Sequence, residues 1–263
     1  MRRSAADMGN YILCNTFATK TPYRIDNVQL NLYSIEELCY FIANYIPLVQ
    51  EDLIGSSLAG WIEKECGRPD IASELDAVME DEDKFAAGLK LILRSGHYYT
   101  QIQLEKIFEK IDEQIALPVI EKLKLRADLF MKQKKYRQAI KNYEEILETR
   151  GLYNESEDFR YKVYYDLGCG YAKLLRLSKA RSFFSKACEL HSCAESRKAC
   201  LVAAYLDGGA KAFEEEAKRL NVSDGERSTV ILELDAVQAP ELTGDLGELV
   251  RGWVRNYHES TGL

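Results

Sequence analysis

The stretch Ala127-Asp128-Leu129-Phe130, followed by Tyr136-Arg137-Gln138-Ala139-Ile140-Lys141-Asn142-Tyr143, decides the predicted fold. Ala127 and Ala139 lie twelve residues apart, and large side chains surround both of them. Two antiparallel helices that cross closely need a small residue at the crossing, because a larger side chain would hold the two backbones apart. We therefore interpret this stretch as a helical hairpin whose two helices cross at Ala127.

The same arrangement recurs further along the chain. Leu167-Gly168-Cys169-Gly170-Tyr171-Ala172 is followed by Ala180-Arg181-Ser182-Phe183-Phe184, and Gly168 and Ala180 are again twelve residues apart. The second copy starts 41 residues after the first because the segment 153–158 lengthens the connection. Two copies with the same spacing predict stacked hairpins instead of a single one.

On these residues, the chain resembles the tetratricopeptide repeat (TPR) family over about 120–194. The resemblance implies stacked antiparallel helical hairpins that form a TPR-like α-solenoid, in which the first helix of each hairpin lines a concave groove. Neither copy has the proline that often ends the repeat, since Gly151 and Ser192 stand at those places. A third, degenerate hairpin is expected at about 194–220, where the small-residue spacing fails.

The candidate binding residues follow from the resemblance, which places them on the first helix of each hairpin. They are Lys124, Asp128, Met131, Val163, Asp166, Cys169 and Gly170. Family members that bind the C-terminal carboxylates of chaperones use Lys and Asn side chains at these places. Here Asp128 and Asp166 replace two of the asparagines, and their charges would repel such a ligand. The resemblance therefore implies a protein or peptide partner of another kind.

Four regions are expected in a fold that is mainly all-α. They are an extended or β-hairpin element over 1–33, a helical region over 34–117, TPR-like helical repeats over 118–222, and C-terminal capping helices over 223–263. In the first region, Tyr11–Cys14 and Val28–Tyr33 are rich in β-forming residues, and turn residues lie between them. These two segments are the predicted strands.

Two helix starts are predicted from capping boxes. In a capping box, a serine hydroxyl and a glutamate three residues later cap each other's backbone amides. Ser34 with Glu37 and Ser223 with Glu226 fit this pattern. Turn residues and apolar periodicity then predict the other helices outside the repeats. These helices are expected at about 49–66, 69–79, 83–95, 100–116 and 245–258.

Charge and hydropathy exclude several classes of partner. The chain has 263 residues with a net charge of −7, and it contains no Lys- or Arg-rich run of the kind that neutralises phosphates. It also lacks an apolar run long enough for a membrane span. We expect a cytoplasmic protein that binds neither nucleic acid nor membranes. Its oligomeric state and its true start, Met1 or Met8, stay open.

Residues typical of catalysis are few. The three histidines, His97, His191 and His258, have no neighbouring Ser or Cys in a nucleophile motif. Carboxylate pairs such as Glu144 and Glu145 stand in charged runs that are typical of solvent-exposed helix faces. We therefore expect a protein that is not an enzyme and needs no cofactor.

The main hypothesis is a scaffold or adaptor that binds a protein or peptide partner through its TPR-like groove. One alternative is a regulatory sensor that responds to a peptide. A second alternative is an enzyme with its site in the unmatched region 1–117, where His97, Tyr98, Tyr99 and Asp70 would gather. The sequence leaves all three open.

Seven cysteines are present without a C-x-x-C pair, and most lie in apolar helical patterns typical of reduced core cysteines. One cluster, Cys188, His191, Cys193 and Cys200, contains ligand types that bind zinc. Its spacing matches none of the familiar zinc patterns. Ordinary packing at a hairpin junction is therefore the favoured interpretation, and no metal is expected.

Overall fold

The computed structural model describes residues 18–237 and 245–261. These residues are mostly helical, with a small two-stranded antiparallel sheet, which confirms the mainly all-α class with a short β element. The chain divides into two compact units, and the division falls between Leu117 and Pro118. In the described part, no helix is both long enough and apolar enough to cross a membrane.

The first unit begins with a β-hairpin. Strand β1 (Tyr23–Ile25) pairs with β2 (Leu30–Leu32), and a 3-10 turn over Asp26–Val28 joins them. The predicted strand over Val28–Tyr33 is confirmed in part, but its partner is β1, which we had assigned to the turn. The turn residues at 26–27 close a short hairpin between their immediate neighbours. The other predicted strand, Tyr11–Cys14, lies outside the described residues.

Five α-helices follow in the first unit. They are α1 (Ile35–Asn44), α2 (Ser56–Lys64), α3 (Pro69–Val78), α4 (Lys84–Ser95) and α5 (Gln101–Ala116). The helices expected at 69–79, 83–95 and 100–116 are therefore confirmed. The helix expected over 49–66 is wrong in its first half, where a 3-10 turn occupies Glu51–Leu53 and α2 starts only after Gly55. Gly55 has an extended backbone, which helices admit only at their ends.

The start of α1 is capped partly as expected. The Ser34 hydroxyl accepts a hydrogen bond from the Glu37 amide, as predicted. The Glu37 carboxylate accepts a hydrogen bond from the Tyr33 amide at 2.6 Å, one residue before the expected donor. Further along the unit, Trp61 is buried in α2, and its indole N–H donates to the backbone oxygen of Thr21 at 2.8 Å. This bond holds the segment before β1 against α2.

The second unit is a succession of helices. They are α6 (Val119–Lys132), α7 (Tyr136–Glu148), α8 (Glu157–Lys173), α9 (Leu177–Leu190), α10 (Ala194–Arg219), α11 (Asp224–Asp235) and α12 (Leu246–Thr261). α6 packs on α7, α8 packs on α9, and α9 packs on α10. The lengthened connection between α7 and α8 contains a 3-10 helix over Arg150–Asn154.

Small residues stand where the helices approach closely. Ala127, Ala139 and Ala180 are fully buried. At Gly168, an added Cβ would lie 2.7 Å from two ring carbons of Phe184, so α8 and α9 can approach this closely only because position 168 carries no side chain. The predicted close approach at Gly168 is confirmed.

The third hairpin has no loop between its two segments. α10 extends from Ala194 to Arg219, and Gly209 divides it into two helical segments. Gly209 has φ 70° and ψ −164°, a conformation that is accessible almost only to glycine. The second segment packs with α11 in a small core. This core consists of Leu201, Phe213, Ala217, Val222 and Val230. The capping box of Ser223 and Glu226 at the start of α11 is confirmed.

The last helix, α12, contacts α7. The helix expected over 245–258 is thus confirmed. A proline cannot continue a helix, so Pro240 predicts the end of the helix that Ser223 starts, but it lies outside the described residues. Val250, Trp253, Val254 and Tyr257 on α12 are about half exposed. These side chains cover little of the core, so the capping role of this region stays a prediction.

Candidate functional site

Three of the predicted groove residues meet in one charged cluster, which joins α6 and α8. The Lys124 ammonium donates to both carboxylate oxygens of Asp128, at 2.5 and 2.7 Å, and to Oδ2 of Asp166 at 2.9 Å. The Tyr143 hydroxyl of α7 donates to Oδ1 of Asp128 at 2.6 Å. One lysine and one tyrosine thus serve two carboxylates, and the cluster ties three helices together.

The charged groups of this cluster are partly buried and act on one another. Burial raises the pKa of Asp166, although the neighbouring ammonium of Lys124 opposes the shift. Burial and the bond to Asp128 also raise the pKa of Tyr143. The Lys124 side chain is only 12% exposed, and its donors point at carboxylates of the same chain. Its positive charge is therefore already neutralised and is not presented to an external anion.

Two of the other predicted groove residues belong to the buried face of α8. Val163 has no exposed surface. A Cβ added at Gly170 would lie 3.0 Å from Cγ1 of Ile140 on α7 and 3.6 Å from the Met131 sulfur. A groove lined by Val163 and Gly170 stays a prediction. Cys169 is partly exposed, and burial raises its pKa to about 11.

A different surface of the second unit is concave. α8, the start of α9 and the first segment of α10 enclose an open groove of about 370 Å³. Its apolar lining side chains are Tyr165, Ala172, Leu177, Phe184, Ala199, Val202, Ala203 and Leu206. Leu206 is 55% exposed. This groove therefore offers open apolar surface of a size that suits a few side chains of a peptide or helix.

The polar end of this groove is formed by α10. Glu195 and Lys198 line it, and the Tyr165 hydroxyl of α8 donates to Oε1 of Glu195 at 3.1 Å. Lys198 forms an ion pair with Glu233 of α11. About half of the surface of the Lys198 side chain is exposed, so its charge stays accessible to solvent. The groove combines an apolar floor with one acidic and one basic side chain at its end.

A second cavity of about 420 Å³ lies on the other side of α10, against α11. Leu201, Val222 and Val230 form its apolar floor, and an ion pair between Arg197 and Glu226 crosses it. Lys198 lines both this cavity and the groove beside α8. α10 is thus the helix that the two concave surfaces share.

Sequence reasoning missed most of the residues in the groove. Tyr165 and Ala172 lie seven residues apart on α8, with Cys169 between them, and this spacing marks one helix face. Val202 and Leu206 on α10 are four apart and mark another. The signal was therefore present, but the third hairpin has no small-residue match, and its first helix was not considered as a groove wall.

Two of the residues proposed for an enzyme site in the first unit bond to neighbouring side chains. The Asp70 carboxylate accepts hydrogen bonds from the Arg68 guanidinium, which lowers the pKa of Asp70 to about 2. The Tyr99 hydroxyl accepts a hydrogen bond from the Asn44 amide, while burial raises the pKa of Tyr99 to about 12. An enzyme site in this region stays a hypothesis.

The cysteine and histidine cluster does not have the arrangement of a metal centre. Across residues 18–237 and 245–261, no group of three or more His, Cys, Asp or Glu side chains is placed to hold a metal ion. The ring of His191 instead packs edge-on against Tyr161, with their centroids 5.5 Å apart. The thiols of Cys188 and Cys193 do lie near each other, since both contact the Ser196 hydroxyl.

Comparisons with protein-family models, with curated proteins and with solved structures find no match to this chain.

Proposed function

We propose that the second unit is a TPR-like array of helical hairpins that binds a protein partner without catalysing a reaction. The partner would insert apolar side chains of a peptide or helix into the groove between α8 and α10. In this proposal α6, α8 and α10 are the first helices of three successive hairpins. The TPR-like arrangement rests on the two matched copies in the sequence and on the close approach of α8 and α9 at Gly168.

One observation carries the proposal, namely the open apolar surface between α8 and α10. Leu206 exposes 55% of its surface within a groove whose other members are mostly apolar. Burial of such surface by a partner is favourable by roughly 25 cal/mol per Å² before the costs of association. Glu195 and Lys198 at one end add charged groups that fix the direction of the bound segment.

The test uses the full chain and a displayed library of peptides, from which binders are selected and their affinities measured by calorimetry. Leu206→Asp and Val202→Asp each place a carboxylate on the groove floor. We expect each variant to weaken the selected peptides at least about tenfold, because a charge would be desolvated against apolar side chains. Such a loss in both variants supports the proposed groove.

Leu232→Asp is the matched control, since Leu232 is 69% exposed on α11 and does not line the groove. Peptide affinity should be unchanged in this control. The proposal is wrong if groove variants and control bind the selected peptides equally well. It is also wrong if the library yields no binder for the native chain.

A further inference from the structure

The junction between α9 and α10 gathers cysteine thiols around one buried hydroxyl. The Sγ of Cys188 lies 3.3 Å from Oγ of Ser196, and the Sγ of Cys193 lies 3.4 Å from the same atom. The two sulfurs are therefore no further apart than the sum of these distances. Ser196 itself has no exposed surface. The hydroxyl is thus a fixed point that holds two thiols near each other.

The local fold explains this arrangement. Cys188 lies in the last turn of α9, and Cys193 is the N-cap residue of α10, so a short connection joins them. The Ser196 amide donates to the sulfur of Cys193 at 3.4 Å, as in a capping box. A helix N-terminus stabilises a thiolate through its amides and its dipole. Position 193 therefore favours the ionised form of cysteine.

Both thiols ionise more readily than an ordinary cysteine. A hydrogen bond from Cys200 lowers the pKa of Cys188 to about 6, although burial opposes the shift. Burial also opposes ionisation of Cys193, but bonds from Ser196 and from the Tyr161 hydroxyl outweigh it and lower its pKa. The Tyr161 oxygen lies 3.3 Å from the Cys193 sulfur. The surroundings of both neighbouring cysteines thus favour ionisation.

The other partly exposed cysteines of the described chain behave in the opposite way. Burial raises the pKa of Cys66 to about 12 and that of Cys169 to about 11. Both therefore stay protonated at neutral pH and react slowly. Cys193 is the partly exposed member of its cluster, whereas Cys188 and Cys200 are buried. Exposure and thiolate character coincide at Cys193.

From this geometry, we propose that Cys193 and Cys188 are a peroxide-responsive modification site, at which oxidation forms a disulfide across the α9–α10 junction. Cys193 would react first because it is the more accessible thiol. Cys188 would then resolve the oxidised product. Cys200, the third thiol of the cluster, is buried and is not a member of the proposed pair.

The chemistry balances with hydrogen peroxide as the oxidant. The Cys193 thiolate attacks one oxygen of the peroxide, the O–O bond breaks, and the products are a sulfenic acid and hydroxide. The Cys188 thiolate then attacks the sulfenic sulfur, the S–S bond forms, and a second hydroxide leaves. Protons from solvent convert both hydroxides to water. The two thiols together lose two electrons, and the peroxide gains them.

Trypsin separates the possible products cleanly. Cleavage after Lys186 and Arg197 releases the peptide 187–197, which contains both Cys188 and Cys193, while Cys200 falls in the peptide 199–211. The experiment exposes the reduced full chain to graded hydrogen peroxide, blocks the remaining thiols by alkylation, and measures the peptide masses. We expect peptide 187–197 to lose two hydrogen atoms and to resist alkylation. This change should occur at least about tenfold faster than oxidation of Cys66 or Cys169.

Variants assign the roles of the cysteines. Cys193→Ser keeps a good N-cap residue, and it should abolish the linked product. Cys188→Ser should leave Cys193 as a sulfenic acid that dimedone labels. Cys200→Ala should still form the linked product, because Cys200 is not a member of the proposed pair.

Two results would overturn the proposed pair. A cross-link between peptides 187–197 and 199–211 would assign the disulfide to Cys200. Full alkylation of Cys188 and Cys193 at a peroxide concentration that already oxidises Cys66 and Cys169 would show that the cluster is not a privileged site. Neither result depends on whether the groove between α8 and α10 binds a peptide.

Discussion

Helix α8 meets two other first helices of the proposed hairpins, and the two contacts differ in kind. Towards α6, Lys124 bonds to Asp166 and Asp128, and the polar groups are satisfied within the chain. Towards α10, the Tyr165 hydroxyl donates to Glu195, and the Tyr161 hydroxyl lies 3.3 Å from the sulfur of the N-cap residue Cys193. These contacts accompany a groove of about 370 Å³. We call the α6 contact closed, because its charged side chains bond to one another. We call the α10 contact open, because its apolar side chains line a groove that solvent can enter.

The predicted binding residues and the open apolar surface lie at different contacts of α8. The resemblance places the binding residues on α6 and α8, where Lys124 bonds to Asp128 and Asp166. The open surface lies between α8 and α10, and α9 lines it as well. α10 packs chiefly on α9, with an ion pair between Arg181 and Glu216. The position of α10 therefore rests mainly on α9.

The largest expected effect concerns this anchor of α10 on α9. Glu216 is 2% exposed and accepts bonds from Arg181 of α9 and from Arg219. Glu216→Gln should lower the free energy of unfolding by about 3 kcal/mol, because two guanidinium groups lose a buried partner. Urea denaturation followed by circular dichroism measures the change. Glu214→Gln is the control, because the Glu214 carboxylate is exposed and pairs with Arg227. This control should lower the free energy of unfolding by at most about 1 kcal/mol.

The same substitution has a pH signature. Burial opposes ionisation of Glu216, but the two arginines outweigh it and lower the pKa below the ordinary 4.5. A lowered pKa in the folded state gives stability that is present above the unfolded value and is lost as the pH falls through the folded value. The difference between native chain and Glu216→Gln should therefore shrink below pH 4.5. A difference that is constant with pH would contradict this ionic role.

The next effect concerns the closed contact between α6 and α8. Lys124→Ala leaves Asp128 and Asp166 facing each other without a cation, and we expect a loss of about 2 kcal/mol. Lys162→Ala on α8 is the matched control, since its pair with Asp158 is exposed on both sides, and it should cost at most about 0.5 kcal/mol. Equal losses in the two variants would mean that the α6–α8 cluster is no more than a surface ion pair.

A smaller effect is expected at the polar end of the groove. Tyr165→Phe removes the hydroxyl that donates to Glu195, and the bond is exposed. We expect a loss of about 0.5 kcal/mol, the lower end for a hydrogen bond, because water replaces the lost partner. Tyr153→Phe, at a tyrosine that is 80% exposed, serves as the control. A loss of several kcal/mol would show that this bond, and not α9, holds α10.

The smallest effect is expected on the groove floor itself. Leu206→Asp should change the free energy of unfolding by less than about 0.5 kcal/mol, because more than half of the side chain already faces solvent. The same urea experiment measures it beside Leu232→Asp. A large loss of unfolding free energy would mean that Leu206 belongs to the core. The α10 contact of α8 would then not be an open one.

Much of the local structure could be predicted because its signals are local. The capping serines Ser34 and Ser223 were found by a pattern of four residues, and Gly168 by the size of side chain that a close helix approach tolerates. The helix over 49–66 failed because apolar residues continue through it, while Gly55 sets where α2 begins. The β-hairpin was predicted in part: β2 lies within the expected strand over 28–33, and its partner β1 directly precedes the turn.

The groove could not be placed from the sequence because exposure depends on neighbours distant along the chain. Val163, Leu167 and Gly170 follow each other at spacings of four and three, which marks one buried face of α8. That signal was available and argues against two of the predicted groove residues. The partnership of Lys124 with Asp128 is also visible at a spacing of four, but Asp166 joins it from another helix, and no local pattern indicates this.

The two tryptophans of the chain lie in different units, so their fluorescence can report on each unit separately. Trp61 is 7% exposed in the first unit, and Trp253 is 50% exposed on α12 in the second. Their emission should differ in wavelength and in quenching by iodide, because one indole is shielded from water and the other is not. With either residue replaced by phenylalanine, the remaining fluorescence follows a single unit through denaturation, oxidation or partner binding.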